Sequence, residues 1–449
     1  MNPVRATSRS HYALAVLSVI YVLHFIDRQI LSVLIEPIKR EFAASDTQMG
    51  LLTGLAFALF YAFLGVPIAR LADRASRRNI IAACCAGWSV FTVVCGQANS
   101  YLTLLLARIG VATGEAGGTA PMISMVSDLY PRAQRPVAMS VLGLGPHIGV
   151  VFGLTLGGFI AQHYGWRAAF VWMGAPGLFM ALVLFLTVHE PRRGGMDEAP
   201  PQPGTAGQAS VGQRPRITQS LRQIIAQPAI WMLLLAVGMA GFVGYGFGSW
   251  NISFLVRAHG MSLQQAGAIA GLAGGVGAIL GTLLAGWLCK RLSARDAAWQ
   301  MRVPAIGLAL SLIVGLFYCL WPAGSSTQIG SLSIPTVVWL SFAFSFFAPW
   351  WTAQSYTAIA NLAAPGERAF VSSLLILSIT LFGAGLGPVF TGVLSDALSA
   401  SAGDDALRYA LAATVAMTLV PTLLYLAAAP AYRRSLGATE FRSSLAENA

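Results

Sequence analysis

Stretches of about 20 to 25 mostly apolar residues recur along the whole chain, each as long as a helix must be to cross a hydrocarbon core. Lipid offers the backbone no hydrogen-bond partners, so such a stretch is stable there only as a helix that satisfies its own N–H and C=O groups. Twelve stretches of about 22 residues would use roughly 264 positions and leave short loops and tails. The composition agrees: 56% of the 449 residues are apolar and 10% are charged, against about 25% charged in a soluble domain. A chain this poor in charge cannot cover a water-facing surface, which excludes the soluble-enzyme classes. The expected fold is an all-α polytopic membrane protein of twelve transmembrane helices in two six-helix halves.

The spans fall near 12–35, 47–70, 79–98, 101–127, 136–162 and 166–188, then 229–256, 262–289, 302–322, 333–362, 370–395 and 406–429. This predicts a first half over 1–189, a linker over 190–227, a second half over 228–430 and a tail over 431–449. The linker is rich in Pro, Gly, Gln and Ala, and Ile217 to Ala226 suits a short interfacial helix. The first apolar run follows Arg5 and Arg9 as a secretion signal would. It continues to Glu36 without a small-residue cleavage site, so it reads as a retained helix.

The formal net charge is +11, and its distribution is an orientation signal rather than a nucleic-acid footprint. With the amino terminus inside the cell, the basic residues concentrate in alternate loops: Arg70, Arg74, Arg77 and Arg78 after span 2, Lys290, Arg291 and Arg295 after span 8, and Arg433 and Arg434 after span 12. Lys39, Arg40, Arg167, Arg257 and Arg408 fall outside. A multi-pass protein of the inner cell membrane with both termini cytoplasmic follows. The five cysteines, Cys84, Cys85, Cys95, Cys289 and Cys319, lie in or beside apolar runs without CxxC spacing and read as small interior residues, so no metal and no cofactor are expected. Two basic loops at equivalent places, Ala72-Asp73-Arg74-Ala75-Ser76-Arg77-Arg78 and Cys289-Lys290-Arg291-Leu292-Ser293-Ala294-Arg295, suggest duplicated halves with a site near the midplane between them.

An ionisable side chain at bilayer depth costs about 2.5 to 3.5 kcal/mol on insertion scales, so those retained there are functional candidates. Span 1 carries His24, Asp27 and Arg28, and span 4 carries Arg108 and Glu115, two turns apart on one helix face. Structural ion pairing is one reading of this set. Two carboxylates and a histidine exceed what neutralising two arginines requires, so Asp27 and Glu115 are the proton-coupling candidates, with His24, Arg28, Arg108 and His147 as a substrate or charge network. His147 follows Gly143-Leu144-Gly145-Pro146, with Gly149, Gly153, Gly157 and Gly158 beyond it, a pattern for close helix contact and a kink at Pro146. It suits an interior histidine as well as a cavity residue. Gly114-Glu115-Ala116-Gly117-Gly118 lacks a preceding strand and is not a nucleotide loop. The second half has no comparable charge. It offers Tyr245, Trp250, Asn251, Trp350 and Gln354, as either cavity lining or packing.

These motifs resemble the major facilitator superfamily: Asp73-Arg74-Ala75-Ser76-Arg77-Arg78 its loop between spans 2 and 3, Arg108 with Gly110 and Gly114 its span 4 motif, and Gly143 to Gly158 its span 5 motif. Ala69 and Ser76 replace two of the usual glycines, and Lys290 stands at the aspartate place of the second copy. More narrowly, Phe25-Ile26-Asp27-Arg28-Gln29, Gly50-Leu51-Leu52-Thr53-Gly54, Leu71-Ala72-Asp73-Arg74 and Gly114-Glu115-Ala116-Gly117-Gly118 resemble a bacterial member of the Spinster family. The resemblance implies proton-linked transport, by alternating access, of lysophospholipids or related sphingoid phosphates. It matches Asp27, Arg28, Arg108 and Glu115 to functional positions, with His24 where a tyrosine or asparagine is usual. Asp73, Arg74, Arg77 and Arg78 are the expected cytoplasmic gate. The expected partners are a lipid-like substrate, protons and membrane lipids, with no nucleic acid, in a monomer. A proton symporter for small organic anions and a non-transporting receptor are the alternatives.

Overall fold

The computed structural model describes residues 7–131, 133–194, 196, 227–329, 332–363 and 368–447. They are almost wholly helical, as the apolar runs require. The short interfacial helix expected over Ile217 to Ala226 lies outside the described residues.

The first part of the chain forms α1 (Ser8–Phe42), α2 (Asp46–Thr53), α3 (Leu55–Arg74), α4 (Arg77–Cys95), α5 (Tyr101–Glu115), α6 (Thr119–Leu129), α7 (Arg135–Gly143) and α8 (Gly145–Thr187). The second forms α9 (Pro228–His259), α10 (Leu263–Ala268), α11 (Gly274–Ser293), α12 (Trp299–Leu320), α13 (Thr336–Phe347), α14 (Thr352–Leu362), α15 (Arg368–Ser378), α16 (Gly387–Ala402), α17 (Ala406–Ala416) and α18 (Leu419–Glu447). Among the described residues, eight helical runs are long and apolar enough to cross a membrane. Arg135–Thr187, of 53 residues, and Phe370–Leu436, of 67, each have the length for two crossings. The expected fourth and tenth spans complete the twelve as the broken pairs α5 with α6 and α13 with α14.

Helix starts are set locally. Ser45, Ser100 and Ser262 each accept a hydrogen bond from the amide three residues on, and Gln48, Thr103 and Gln265 in turn accept one from the cap amide. These capping boxes satisfy donors that the helix itself leaves free. The turn between spans 5 and 6 falls at Gly165, where φ is +84°, a conformation costly for any residue with a Cβ. Helix α7 ends at Gly143 and α8 begins two residues later, with Pro146 in its first turn, as the kink expected there requires. A short antiparallel hairpin, Ser326–Ile329 with Leu332–Pro335, follows α12. Four-residue strands are too brief to leave a sequence period, and none is visible in this loop beforehand.

The chain divides into two compact units, Met1–Pro37 with Leu59–Arg214, and Ile38–Ala58 with Pro215–Ala449. In the first, glycines set helix spacing. A Cβ on Gly149 would stand 2.5 Å from the Phe25 Cβ and one on Gly153 3.2 Å from the Ile26 Cα, so the glycine face of α8 lies directly on α1. A Cβ on Gly114 would stand 2.5 Å from the Trp88 amide nitrogen, which brings α5 against α4.

In the second unit, Leu233, Val237, Leu308, Ile359, Leu375 and Tyr425 belong to one buried core. Gly50 and Gly54 explain the Gly50-to-Gly54 motif: their missing side chains admit the Pro388 and Gly385 carbonyl oxygens, at 2.6 and 2.7 Å from where a Cβ would stand. That second contact falls where Gly54 breaks the expected second span into α2 and α3. On α11, a Cβ at Gly281 would overlap the Phe346 carbonyl oxygen, whereas one at Gly286 meets nothing within 4 Å. Gly281→Ala is therefore expected to lower stability by about 1 to 3 kcal/mol, as overpacking does. Gly286→Ala should leave it unchanged or raise it slightly, since alanine is the better helix former. Melting temperatures of the two variants in detergent check this; equal values would contradict the packing.

Candidate functional site

Three helices of the first unit carry a buried ionic cluster. On α1, His24 and Asp27 are 1% and 2% exposed; on α5, Arg108 is 2% and Glu115 0% exposed. Arg108 and Glu115, seven residues apart, lie two turns along one face of α5. Arg28 Nε donates to Glu115 Oε2 at 2.7 Å, and its guanidinium stands 4.5 Å from the Tyr61 ring centroid. His24 Nε2 is 3.0 Å from the same Oε2. The His24 ring lies 5.3 Å from that of Trp88 on α4. Asp27 Oδ2 is 3.7 Å from Arg108 Nη1, and Asp27 Oδ1 accepts a bond from Thr92 Oγ1 at 2.5 Å.

Asp27 and Glu115 lie close enough to influence one another's charge. Asp27 Oδ2 and Glu115 Oε1 are both buried without a hydrogen-bond donor. Ionised carboxylate oxygens only accept, so neither carboxyl can donate to the other unless one of them carries a proton. The structure thus brings together five sequence candidates: His24, Asp27, Arg28, Arg108 and Glu115. His147, half-buried at the start of α8, stands outside this hydrogen-bond network.

The expected gate residues divide. The Asp73 side chain lies outside the described residues, and Arg74 is exposed at the end of α3. Arg77 is buried and makes four hydrogen bonds: Nε donates to Glu190 Oε1 at 2.8 Å, Nη1 to Ser124 Oγ at 3.0 Å and to Asp128, and Nη2 to the Pro191 carbonyl at 2.9 Å. Glu190 Oε2 accepts in turn from Ser76 Oγ at 2.9 Å and from the Arg78 amide at 2.8 Å. Arg78 stands over the Phe185 ring.

Of the second-half residues, Tyr245 is exposed. Trp250 is buried, with Nε1 donating to the Pro388 carbonyl at 2.9 Å, and Asn251 Oδ1 accepts from Tyr318 at 2.6 Å. Trp350 and Gln354 are also buried, the first packed on Ala285, Cys289 and Val303 and the second receiving Gln300 Nε2 on its carbonyl at 2.9 Å.

A second ionic cluster escaped the sequence. Asp46, 2% exposed, takes both arms of Arg257 at 2.7 and 2.8 Å, Lys39 at 2.5 Å and Ser395 at 2.7 Å. Asp396 caps α2 by accepting the Asp46 and Thr47 amides at 3.0 and 2.7 Å. The 350 positions between Asp46 and Asp396 leave no local pattern to read. Thr92 escaped as well, because a lone hydroxyl in an apolar helix resembles any other small polar residue.

Two predictions follow from these clusters. Burial alone would raise the Glu190 carboxyl, but the Arg78 amide, the Arg77 guanidinium and the Ser76 hydroxyl overcome it and hold the group below its usual range. Its stabilisation is therefore complete above the unfolded value of about 4.3 and disappears as pH falls through the lower folded value. The melting-temperature gap between wild type and Glu190→Gln should be full near neutral pH and close below about pH 4.3. A gap that stays constant with pH would contradict this. Glu115→Ala strands Arg28 beside His24 and should cost about 3 to 5 kcal/mol in denaturant titrations, whereas Glu115→Gln, whose amide oxygen still accepts from Arg28, should cost much less. Equal losses would show that the bond to Arg28 contributes nothing.

Residues 17–354 match the family model described as Major Facilitator Superfamily. Among solved structures, a bacterial homolog of the human lysosomal transporter Spinster, in an inward-facing and unoccupied conformation, is similar at 31% identity. The match covers 96% of this chain and 99% of that one, with a TM-score of 0.83. An MFS-type efflux pump of Mycolicibacterium smegmatis is 32% identical over 95% of this chain and 94% of its own length. A Bacillus subtilis protein named as a probable galactarate/D-glucarate transporter is 27% identical over 69% of this chain and 72% of its own.

Proposed function

Because this chain belongs to the Major Facilitator Superfamily and is a Spinster-type member of it, we propose that it is a proton-coupled secondary transporter that moves an amphiphile with an anionic head, of lysophospholipid or sphingoid-phosphate type, by alternating access. The observation that carries the reading is the pair of buried carboxylate oxygens, Asp27 Oδ2 and Glu115 Oε1, that have no donor. A proton on either carboxyl removes the negative charge that such an oxygen would otherwise carry unmet. The same cluster holds two guanidiniums, and their planar forks suit a phosphate or carboxylate head. Substrate and proton then act on one set of charges: a bound anion draws Arg28 or Arg108 away from its carboxylate, which favours protonation of the acid left behind.

The two halves over 1–189 and 228–430, the linker between them and the inner-membrane orientation with both termini cytoplasmic belong to this proposal. The weight of basic residues in alternate loops supports them. In that orientation the node of Arg77, Arg78 and Glu190 is cytoplasmic, beside the proposed gate residues Asp73 and Arg74, and Asp46 with Arg257 faces outward. The efflux-pump relative supports movement of the cargo out of the cell. The galactarate/D-glucarate relative favours a second reading, a proton symporter for small polyhydroxy carboxylates.

Proteoliposomes with an imposed pH gradient test both readings. Labelled lysophospholipid should move in response to the gradient and galactarate should not; the reverse result selects the second reading. Amide replacement mimics the protonated acid. Asp27→Asn and Glu115→Gln should therefore abolish gradient-driven accumulation while leaving exchange of substrate across the membrane measurable. Accumulation in proportion to the gradient in both variants would place the coupling elsewhere.

A further inference from the structure

Thr92 lies in the middle of α4, fully buried, with its hydroxyl oxygen 2.5 Å from Asp27 Oδ1 and 2.9 Å from the Trp88 carbonyl oxygen. A hydroxyl has one hydrogen and two lone pairs, so it cannot donate to both neighbours at once. With Asp27 ionised, both neighbours are acceptors and one of the two contacts is unmet. With Asp27 protonated, the carboxyl O–H donates to Thr92 Oγ1, and the threonine hydrogen is free to turn to the Trp88 carbonyl. Both contacts are then made.

The oxygen itself is held still. A Cβ on Gly174 of α8 would stand 2.9 Å from Thr92 Cγ2, so α8 closes over the methyl group, and a β-branched side chain in a helix has few rotamers to escape to. Only the hydrogen can move. We propose that Thr92 is a positioning residue for the coupling carboxylate: a clamped hydroxyl that turns from Asp27 to the Trp88 carbonyl as Asp27 takes up its proton, and so keeps the acid in place in both protonation states. The Thr92 O–H bond does not break. The transferred proton ends on Asp27, and threonine rotates about its C–O bond. This inference rests on the reading of Asp27 as a proton carrier.

The titratable and charged groups around Asp27 are His24 and Arg28 on α1, Cys85 and Cys95 on α4, and Arg108 and Glu115 on α5; α8 presents the uncharged Gly174 and Gly177 to this stretch of α4. None of them contacts Thr92 Oγ1 in place of Asp27 and Trp88.

Infrared difference spectra of the purified full-length protein across a pH titration test the proposal without relying on transport. A protonated-carboxyl C=O band that is lost in Asp27→Asn identifies Asp27. In Thr92→Val, which keeps the shape and removes the hydroxyl, that band should move to higher frequency. Its titration midpoint should shift by at least about half a pH unit, a roughly threefold change in proton affinity. Thr92→Ser should restore both, and the pH profile of transport should follow the same order. Should Thr92→Val fail to fold, Thr92→Ala gives the same comparison. An Asp27 band with unchanged frequency and midpoint in the valine or alanine variant overturns the role of Thr92 alone. The absence of any Asp27→Asn-sensitive band overturns the proton-carrier reading, and this inference with it.

Discussion

Glu115 has no contact with solvent, and its carboxylate faces Arg28 at 2.7 Å and His24 at 3.0 Å. A carboxylate in such a place is tolerable only when positive charge is held beside it, because desolvation of a single ion costs several kcal/mol even after relaxation. The surrounding helices are arranged to meet that requirement. Gly110 and Gly114 remove the side chains that would hold α5 off α4, and the glycine face of α8 brings α1 inward. The cluster is close to electrically balanced, with Asp27 and Glu115 against Arg28 and Arg108. Balance of this kind makes the site sensitive to a single added charge, whether a proton or an anionic head group.

Packing and electrostatics are therefore one problem in the first unit. The second unit is built differently: its glycines, at 50, 54, 277 and 281, meet backbone carbonyls, and its buried polar groups, such as Tyr318 with Asn251 and Tyr425 with Ser355, pair as neutral hydrogen bonds. At the Asp46–Arg257 pair it buries a carboxylate in an ion pair, and there Lys39 and Ser395 complete the coordination of the carboxylate.

The crossings were legible because a run of apolar residues long enough to span lipid has few other uses. Charges in spans 1 and 4 were legible because they stand out against that background. What they touch was not. Arg77 stands in a basic loop and reads as part of a cytoplasmic gate, but its buried partners Asp128 and Glu190 lie 51 and 113 positions away, beyond any local pattern. Trp250 reads as cavity lining or packing, and its bond to the Pro388 carbonyl, 138 residues away, leaves no local trace in the sequence. Thr92 and Asp46 were missed for one reason: their importance comes from the partner that a distant helix supplies, and no local period encodes it.

The distance between Arg28 and Glu115 also bears on how this chain is made. They are 87 residues apart, so the first helix leaves the ribosome with its histidine, aspartate and arginine well before their partners on α5 exist. At about 5 to 20 residues per second, the wait is on the order of 4 to 17 seconds. During it, α1 alone is a poor candidate for release into lipid. Neutralisation of α1 therefore waits on the arrival of α5, and its timing is set by the position of one glutamate.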